Sequence, residues 1–384
     1  MNKNCTLSRR TMLQGAAAAV GTSWLGAKAA NSKSSGVLLI GQSAAFSGPA
    51  ASLGIEMRQG IESAFAQVNA SGGIGGRRLQ LVSLDDGYEP DRAVANTSTL
   101  LDSTQCFALL GYVGTPTTVA CLPAINADKV PLVGPFTGAK SLRDPLNSYV
   151  FNIRASYDDE SMPLIKQLTV ASGSAEHIGI VYQDDGYGLA VKASIEAAMA
   201  KLGMKPLAVA TVKRNSPDVG AAAAAMVKAG VTAVVIGSTY TSSALLMKQI
   251  RNLGMHPQFA SVSFIGTSGL IDNFADQADG IAIAQVMPYP FSGALPVVHE
   301  YQTAMKAAEN TKFSYGSIEG YIAARVLVEG LKRCGQTITR AKLRTSLESM
   351  DVDIGGFRVA FSADSHQGSK FTELTVLGKG RILR

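Results

Sequence analysis

The sequence predicts an α/β protein made of two doubly wound parallel-sheet lobes. Short apolar runs alternate with segments of helical spacing from residue 37 to residue 286, and many of the predicted strands end in turns rich in Gly, Ser and Thr. With 384 residues, the chain is long enough for two domains with a substantial core. The composition, 46% hydrophobic and 17% charged, is that of a globular protein and excludes wholesale disorder.

The N-terminus is predicted to be a cleaved export signal comprising residues 1–29. Ser8-Arg9-Arg10-Thr11-Met12-Leu13-Gln14 resembles a twin-arginine motif, a mildly apolar stretch follows over 15–25, and Ala27-Lys28-Ala29 offers a cleavage site near Ala29. The apolar stretch is shorter than the roughly 20 residues that span a bilayer, which disfavours a membrane anchor. We therefore expect an exported chain that is not itself transmembrane.

Net charge gives little support for a nucleic-acid partner. The formal charge is +6, but four basic residues and no acidic ones lie in the predicted leader, which leaves 31 basic against 29 acidic residues in the remainder. The mature protein is then nearly neutral, so the basicity belongs mostly to the leader.

The first half of the mature chain predicts a β-α-β-α-β-α-β series. Strands are expected at 37–42, 79–84, 106–110 and 130–133, with helices at 53–69, 92–101 and 119–127. The Gly-rich segment 72–76 follows a helix and precedes a strand, the wrong order for a dinucleotide-binding loop, and therefore predicts a helix end and a turn.

A second α/β series follows a strand-like segment at 151–154. Strands are expected at 178–182, 207–212, 231–236, 259–263 and 281–286, with helices at 189–202 and 242–253. Ser216 and Pro217 are predicted to cap and open a further helix. Helices at 297–309, 318–334 and 340–350 and a strand at 371–377 complete the chain.

The segment Gly111-Tyr-Val-Gly-Thr-Pro-Thr-Thr118 is the strongest candidate for a binding turn. It joins a strand to a helix, and backbone N–H groups at a helix N-terminus can hold an anion or a carbonyl. Thr115 or Thr117 could instead simply cap the helix. Similar polar turns end the other strands, which favours a small polar ligand held between two closing lobes.

Catalytic, metal and cofactor sites are not predicted. The four His residues are isolated from one another and from Cys, and no nucleophile elbow or cofactor fingerprint is present. Cys106, Cys121 and Cys334 are expected to be buried free thiols. Asp85-Asp86 resembles an acid/base pair, although its position at a strand end favours a structural role.

An ordered set of motifs along the mature chain carries a resemblance to a known family. The set comprises Ser47-Gly48, Asn69-x-x-Gly72-Gly73-Ile74-x-Gly76, Asp85-Asp86, Gly111–Thr118, Phe151-Asn152-Ile153-Arg154 and Asp185-Gly186-Tyr187-Gly188. With these motifs the chain resembles periplasmic solute-binding proteins of ABC importers, of the leucine/isoleucine/valine-binding type.

The resemblance implies a Venus-flytrap fold with a three-crossover hinge. The first lobe would comprise residues 36–155 and 288–361, and the second 156–287 and 362–384. It further implies a periplasmic, non-enzymatic protein without a cofactor that delivers a small-molecule ligand to an ABC permease in the inner membrane. The alternative is a periplasmic sensor that signals to a membrane receptor.

The resemblance also implies the site. A hydroxyl and backbone N–H groups at Gly114–Thr117 would bind the ligand carboxylate, the turn at 135–138 would add contacts, and tyrosines of the second lobe would close over the ligand. The full set of expected ligand-binding residues is Ser47, Gly114, Thr115, Thr117, Phe136, Thr137, Tyr157, Asp158, Tyr187, Tyr240 and Ser263.

One departure from the family pattern leaves the chemical class of the ligand undetermined. Amino-acid binders of this family carry an acid for the ligand ammonium at the position of Ser263, and a buried, unpaired ammonium is costly. Either Asp158 replaces that acid, or the ligand is a carboxylate or amide without an ammonium group.

Overall fold

The computed structural model describes residues 36–172 and 177–384, without the side chains of residues 171 and 172. The predicted leader, residues 1–29, lies outside the described residues. The strands are β1 (Val37–Ala44), β2 (Arg78–Asp85), β3 (Ala108–Leu110), β4 (Leu132–Val133), β5 (Val150–Phe151), β6 (Ile178–Gln183), β7 (Ala208–Val212), β8 (Ala233–Gly237), β9 (Gln258–Ser261), β10 (Ile281–Gln285), β11 (Asp351–Asp353), β12 (Arg358–Ala360), β13 (Glu373–Gly378) and β14 (Arg381–Leu383).

The helices are α1 (Ala51–Ala70), α2 (Pro90–Ser98), α3 (Thr115–Ala127), α4 (Tyr157–Ser172), α5 (Gly186–Lys201), α6 (Gly220–Ala229), α7 (Tyr240–Asn252), α8 (Thr267–Ala278), α9 (Pro296–Ala307), α10 (Tyr315–Arg333) and α11 (Arg340–Glu348). Short helical turns at 99–103, 140–142 and 263–265 join some of these elements.

Two separate sheets confirm the predicted two-lobe α/β architecture. The first has the order β2-β1-β3-β4-β5 and is parallel throughout. The second has the order β14-β13-β10-β9-β8-β6-β7 and is parallel except at β13 and β14. The central strands β3, β8 and β10 are wholly buried, as expected where helices cover both faces of a parallel sheet.

Each sheet carries its own helices. Helices α1, α2, α3, α9, α10 and α11 belong with the first sheet, and α4 to α8 with the second. Helices α1 and α10 pack closely, because a Cβ at Gly60 would lie 1.8 Å from the carbonyl oxygen of Ser317. A capping box between Ser314 and Ser317 begins α10.

The chain passes between the two lobes three times, after β5, after β10 and after β12. The first and third crossings lie side by side, since the N–H of Asn152 donates to the carbonyl of His366 at 2.9 Å and that of Gly368 to the carbonyl of Asn152 at 2.7 Å. The residue boundaries expected for the lobes stay a prediction.

The prediction that Ser216 and Pro217 open a helix is wrong. Helix α6 begins at Gly220, with Val219 at its N-cap position. The hydroxyl of Ser216 accepts from the N–H of Asp218, 3.1 Å away, and so forms a local turn instead of a helix cap. The preceding Asn215 has a φ of 55° and bonds to the first lobe, which fixes this segment as a loop.

Candidate ligand-binding cleft

The N-terminus of α3 forms one wall of the candidate cleft. Gly114 precedes the helix with a φ of 105°, and a Cβ there would lie 2.3 Å from Cε2 of Tyr88. No side chain caps the helix, so its first N–H groups are available to an anion or a carbonyl. The hydroxyl of Thr117 donates to the carbonyl of Val113, 2.6 Å away, and thus bonds back to the chain before its own helix.

A short chain of buried hydroxyl groups leads away from this helix. The hydroxyls of Thr115 and Thr137 are 2.6 Å apart, and that of Thr137 lies 3.4 Å from the hydroxyl of Tyr157. Thr137 also accepts from the N–H of Ala139 at 3.2 Å. Thr115, Thr137 and Tyr157 are all buried. The turns after β3 and β4 and the first turn of α4 therefore share one hydrogen-bonded surface.

Tyr187 comes from the second lobe, in the first turn of α5. Its position is fixed because the side chain of Asp185 accepts from the N–H groups of Tyr187 and Gly188 at 2.9 and 3.3 Å. The residue is 0% exposed and its hydroxyl has no hydrogen-bond partner. Burial raises the pKa of Tyr187 well above its usual value, so the phenol stays protonated and can donate.

Aromatic rings of both lobes meet at the cleft. The centroids of Tyr187 and Phe264 are 4.5 Å apart, and those of Tyr157 and Tyr187 are 5.8 Å apart. Phe136 and Tyr88 lie 5.7 and 5.9 Å from Phe264. These tilted contacts form an apolar wall beside the hydroxyl groups.

A buried charged network adjoins the aromatic wall. Arg154 makes a bidentate ion pair with Glu319, with both N···O distances at 2.7 Å, and its guanidinium lies 4.0 Å from the ring centroid of Phe136. Its remaining nitrogen donates to the hydroxyl of Ser263 at 3.0 Å. Glu160 accepts from the N–H of Ser263 at 2.6 Å and from its hydroxyl at 3.1 Å. Burial raises the pKa of Glu160 to about 7.

Side chains on the rim join the two lobes. Arg214, in the loop after β7, pairs with Glu89 of the first lobe at 2.8 Å, and Asn215 donates to the same carboxylate at 2.8 Å. Elsewhere on the rim the hydroxyl of Tyr240 accepts from the N–H of Ser52 at 3.3 Å. The structure is therefore the closed arrangement of the lobes.

Asp85 and Asp86 hold the turn after β2. Asp85 accepts from Phe46, Ser47, Gly87 and Arg92, and these hydrogen bonds outweigh burial and lower its pKa to about 2. Burial raises the pKa of Asp86 to about 6, although Ser43 and the N–H of Tyr88 donate to it. With these partners, the two carboxylates have the structural role that their position at a strand end favoured.

The expected ligand-binding residues separate into two groups in space. Those at the centre of the closed cleft are Gly114, Thr115, Phe136, Thr137, Tyr157, Tyr187 and Ser263. Four others lie elsewhere or face away: Ser47 is exposed and bonded to Asp85, Thr117 bonds to Val113, Tyr240 lies on the rim, and Asp158 is exposed. Asp158 therefore does not face Ser263.

Four residues of the cleft were missed from the sequence: Tyr88, Arg154, Glu160 and Glu319. Arg154 ends the motif Phe151-Asn152-Ile153-Arg154 but was assigned no role, and Tyr88 lies outside the motifs. Glu319 is 165 positions from its partner Arg154, so no local pattern joins them. Glu160 lies two residues after Asp158 in the same helix. Because residues i and i+2 do not face the same way on a helix, helical periodicity would have distinguished the position of Glu160 from that of Asp158.

Metal ligation and membrane spanning find no support in the described part of the chain. There, no group of three or more His, Cys, Asp or Glu residues is placed to hold a metal ion. Cys106, Cys121 and Cys334 are buried and free. Within the same residues, no helix has the length and apolar character needed to cross a bilayer.

Comparisons with known proteins agree with this architecture. A family model described as "Periplasmic binding protein" matches residues 38–379. A crystal structure of a possible leucine/isoleucine/valine-binding protein from Rhodopirellula baltica is 33% identical, with a TM-score of 0.86 over 92% of this chain and 97% of that one. A substrate-binding periplasmic protein from Ralstonia solanacearum is 31% identical, with a TM-score of 0.83 over 90% and 99%.

A curated relative named "Amino acid binding protein", from Pseudomonas aeruginosa, is 25% identical over 75% of this chain and 78% of its own length. These relatives are binding proteins by name. The family match covers nearly all of the described residues, as does the likeness to the two structures. The chain therefore belongs to the periplasmic binding protein family, in the group that includes the leucine/isoleucine/valine-binding proteins.

Proposed function

We propose that this protein is the extracytoplasmic solute-binding component of an ABC importer. It captures a small polar ligand, an amino acid or a small carboxylate or amide, in the cleft between the lobes and delivers it to a permease in the inner membrane. The proposed cycle needs no chemical step, because a ligand that binds the closed arrangement more tightly than the open one shifts the equilibrium towards closure.

The observation that carries the proposal is the unused hydroxyl of Tyr187. It is a buried donor of the second lobe without a partner, beside an aromatic wall shared by both lobes. Across the cleft, Thr115 and the uncapped N-terminus of α3 supply further hydrogen-bonding groups. Buried polar groups are normally satisfied, so an unused one at the junction of two lobes supports a ligand contact there.

A thermal-shift screen of amino acids, small carboxylates and amides tests the proposal, followed by titration calorimetry with any compound that stabilises the protein. We expect Tyr187→Phe and Thr115→Val each to weaken binding of that compound by about 1–3 kcal/mol, since each removes a buried hydrogen bond. Tyr149→Phe is the matched control, because Tyr149 lies outside the cleft and packs against Arg344. Unchanged affinity in both cleft variants would reject this site.

Export forms a separate part of the proposal. Residues 1–29 would direct the chain to the periplasm and be removed near Ala29. N-terminal sequencing of the protein from a periplasmic fraction should then begin at or close to Ala30. A mature protein that still carries Arg9 and Arg10 would contradict it.

A further inference from the structure

A groove lies between α3 of the first lobe and α5 of the second. It has a volume of about 440 Å³, which is within the range of small-molecule binding sites. One face of each helix forms a wall, since residues three or four positions apart lie together on a helix surface. These residues are Thr115, Pro116 and Val119 of α3, and Gly186, Leu189 and Ala190 of α5. Because each lobe supplies one wall, the width of this α3–α5 groove depends on how far the lobes close.

The α3–α5 groove is mainly apolar. Pro116 and Val119 line it from the first lobe, and Leu189 and Ala190 from the second. Leu189 is 52% exposed. A single exposed leucine is ordinary on a protein surface, but here it shares a concave surface with apolar side chains of the other lobe. The groove therefore suits an apolar part of a small molecule.

The groove is continuous with the polar part of the candidate site, because Thr115 belongs to both. The hydroxyl of Thr115 lies 2.6 Å from that of Thr137, and its methyl group would lie 3.9 Å from a Cβ at Gly186. The uncapped N-terminus of α3 begins at the same residue. A ligand whose carboxylate or carbonyl binds there can extend along the groove without leaving the space between the lobes.

The aromatic wall offers a long apolar group less room. The ring centroid of Phe264 lies 4.5 Å from that of Tyr187, 5.7 Å from that of Phe136 and 5.9 Å from that of Tyr88. These are distances of direct ring contact. Phe136 and Tyr88 belong to the first lobe and Phe264 to the second, so the contacts cross between the lobes. Rings in contact leave no layer between them for a ligand chain.

We infer that the α3–α5 groove binds an apolar tail of the ligand, so that the ligand class is small molecules with a carboxylate or carbonyl at one end and a slender apolar chain. This inference rests on the proposed function. The acceptor-rich end lies at Thr115, and the chain passes along Val119 and Leu189. The far end reaches solvent beside Lys140, which also lines the groove and already pairs with the exposed Asp144 at 3.2 Å. The tail therefore needs no charge at its far end.

The first experiment varies the length of the chain. The probes are straight-chain carboxylates of four, six and eight carbons and the 2-amino carboxylates of the same lengths, in calorimetric titrations of the purified protein. In at least one series we expect affinity to rise at least tenfold from four carbons to eight, since each methylene removed from water raises affinity about fourfold. Equal or falling affinity in both series, or binding of no member of either, would overturn the inference.

The variant Gly186→Leu tests where the chain lies. Gly186 has no positive φ, and a Cβ there would meet only the methyl group of Thr115, so a leucine fits and fills the groove. Affinity for the eight-carbon probe should fall at least tenfold, whereas affinity for the four-carbon probe should stay within about twofold. Equal losses for both chain lengths would contradict the inference.

Gly220→Leu is the matched control and should bind both probes like the wild type. Gly220 is also the first residue of a helix, α6, and a Cβ there would meet only one atom, Oδ1 of Asp218, likewise at 3.9 Å. Gly220 does not line the groove. The comparison thus separates filling of the groove from a general effect of leucine at a helix start.

Leu189→Gln removes an apolar contact without adding a charge. It should reduce the gain in affinity with chain length at least threefold. Leu202→Gln is the control, because Leu202 follows the other end of α5 and is 41% exposed. A gain with chain length that persists undiminished in both Leu189→Gln and Gly186→Leu would show that the chain lies elsewhere.

These outcomes are distinguishable from failure of the proposed function. A four-carbon probe that binds to the wild type and more weakly to Tyr187→Phe, with no gain for the longer chains, would retain the proposed function and reject only the tail site.

Discussion

At the scale of single residues, the cleft depends on one close contact within the first lobe. The ring of Tyr88 lies directly over Gly114, where any Cβ would meet it. Tyr88 itself has a φ of 63°, is completely buried, and lies 3.4 Å from the side-chain nitrogen of Gln183 in the second lobe. The absence of a side chain at Gly114 thus determines where the ring of Tyr88 lies relative to both lobes.

Gly114→Ala should destabilise the protein and weaken ligand binding. The substitution combines a strained backbone conformation, worth about 1–3 kcal/mol, with displacement of the Tyr88 ring. Gly72→Ala is the matched control, because Gly72 has a φ of 96° but no atom within 4 Å of its added Cβ. Urea unfolding should show a larger loss for Gly114→Ala, and only that variant should bind ligand more weakly. Equal losses would mean that Tyr88 moves aside freely.

At the scale of the elements, strands and helix starts could be predicted well wherever a local signal existed. The apolar run before Gly111 and the Thr-Pro-Thr sequence after it predicted a strand, a turn and a helix, and β3 and α3 confirm them. The same reasoning failed at Ser216, because a hydroxyl before a proline can serve a local turn as readily as a helix N-terminus.

Long-range partners within the site could not be predicted in this way. The sequence indicated Thr115, Thr137 and Tyr187, which lie in turns at strand ends, and the structure brings them to one cleft. It gave no means of pairing Arg154 with Glu319, because that ion pair depends on how α10 packs beside the first crossing. The helices α1 and α10 approach closely through Gly60 and Gly320, and neither glycine has a local signature for such a contact.

At the scale of the whole molecule, contacts on the rim of the cleft join the lobes in addition to the buried aromatic contacts. Glu89 of the first lobe accepts from Arg214 and Asn215 of the second, and Tyr240 and Thr241 bond to Ser52 and Pro49. These contacts lie on the rim and are partly exposed. They therefore stabilise closure modestly, so that ligand binding can shift the equilibrium between the open and closed arrangements.

Glu89→Ala should reduce ligand affinity by less than tenfold, because partly exposed ion pairs contribute about 0.2–1 kcal/mol each. The control is Glu329→Ala, which breaks an ion pair with Arg333 inside α10 and joins no lobes. Calorimetry at low and high salt should show that the difference between Glu89→Ala and wild type shrinks as salt screens the contact. A salt-independent difference would argue against an electrostatic contribution to closure.

The return of β13 to the second sheet has a consequence for how the protein is made. Residues 373–376 of β13 pair with residues 282–285 of β10, and β14 in turn pairs with β13. Of the described residues, these are the last to leave the ribosome. Until they emerge, β10 is an open sheet edge, and a nascent chain that stalls before residue 373 exposes strand hydrogen-bonding groups to its neighbours. Completion of the second sheet therefore has to follow synthesis of α9, α10 and α11, which belong with the first sheet.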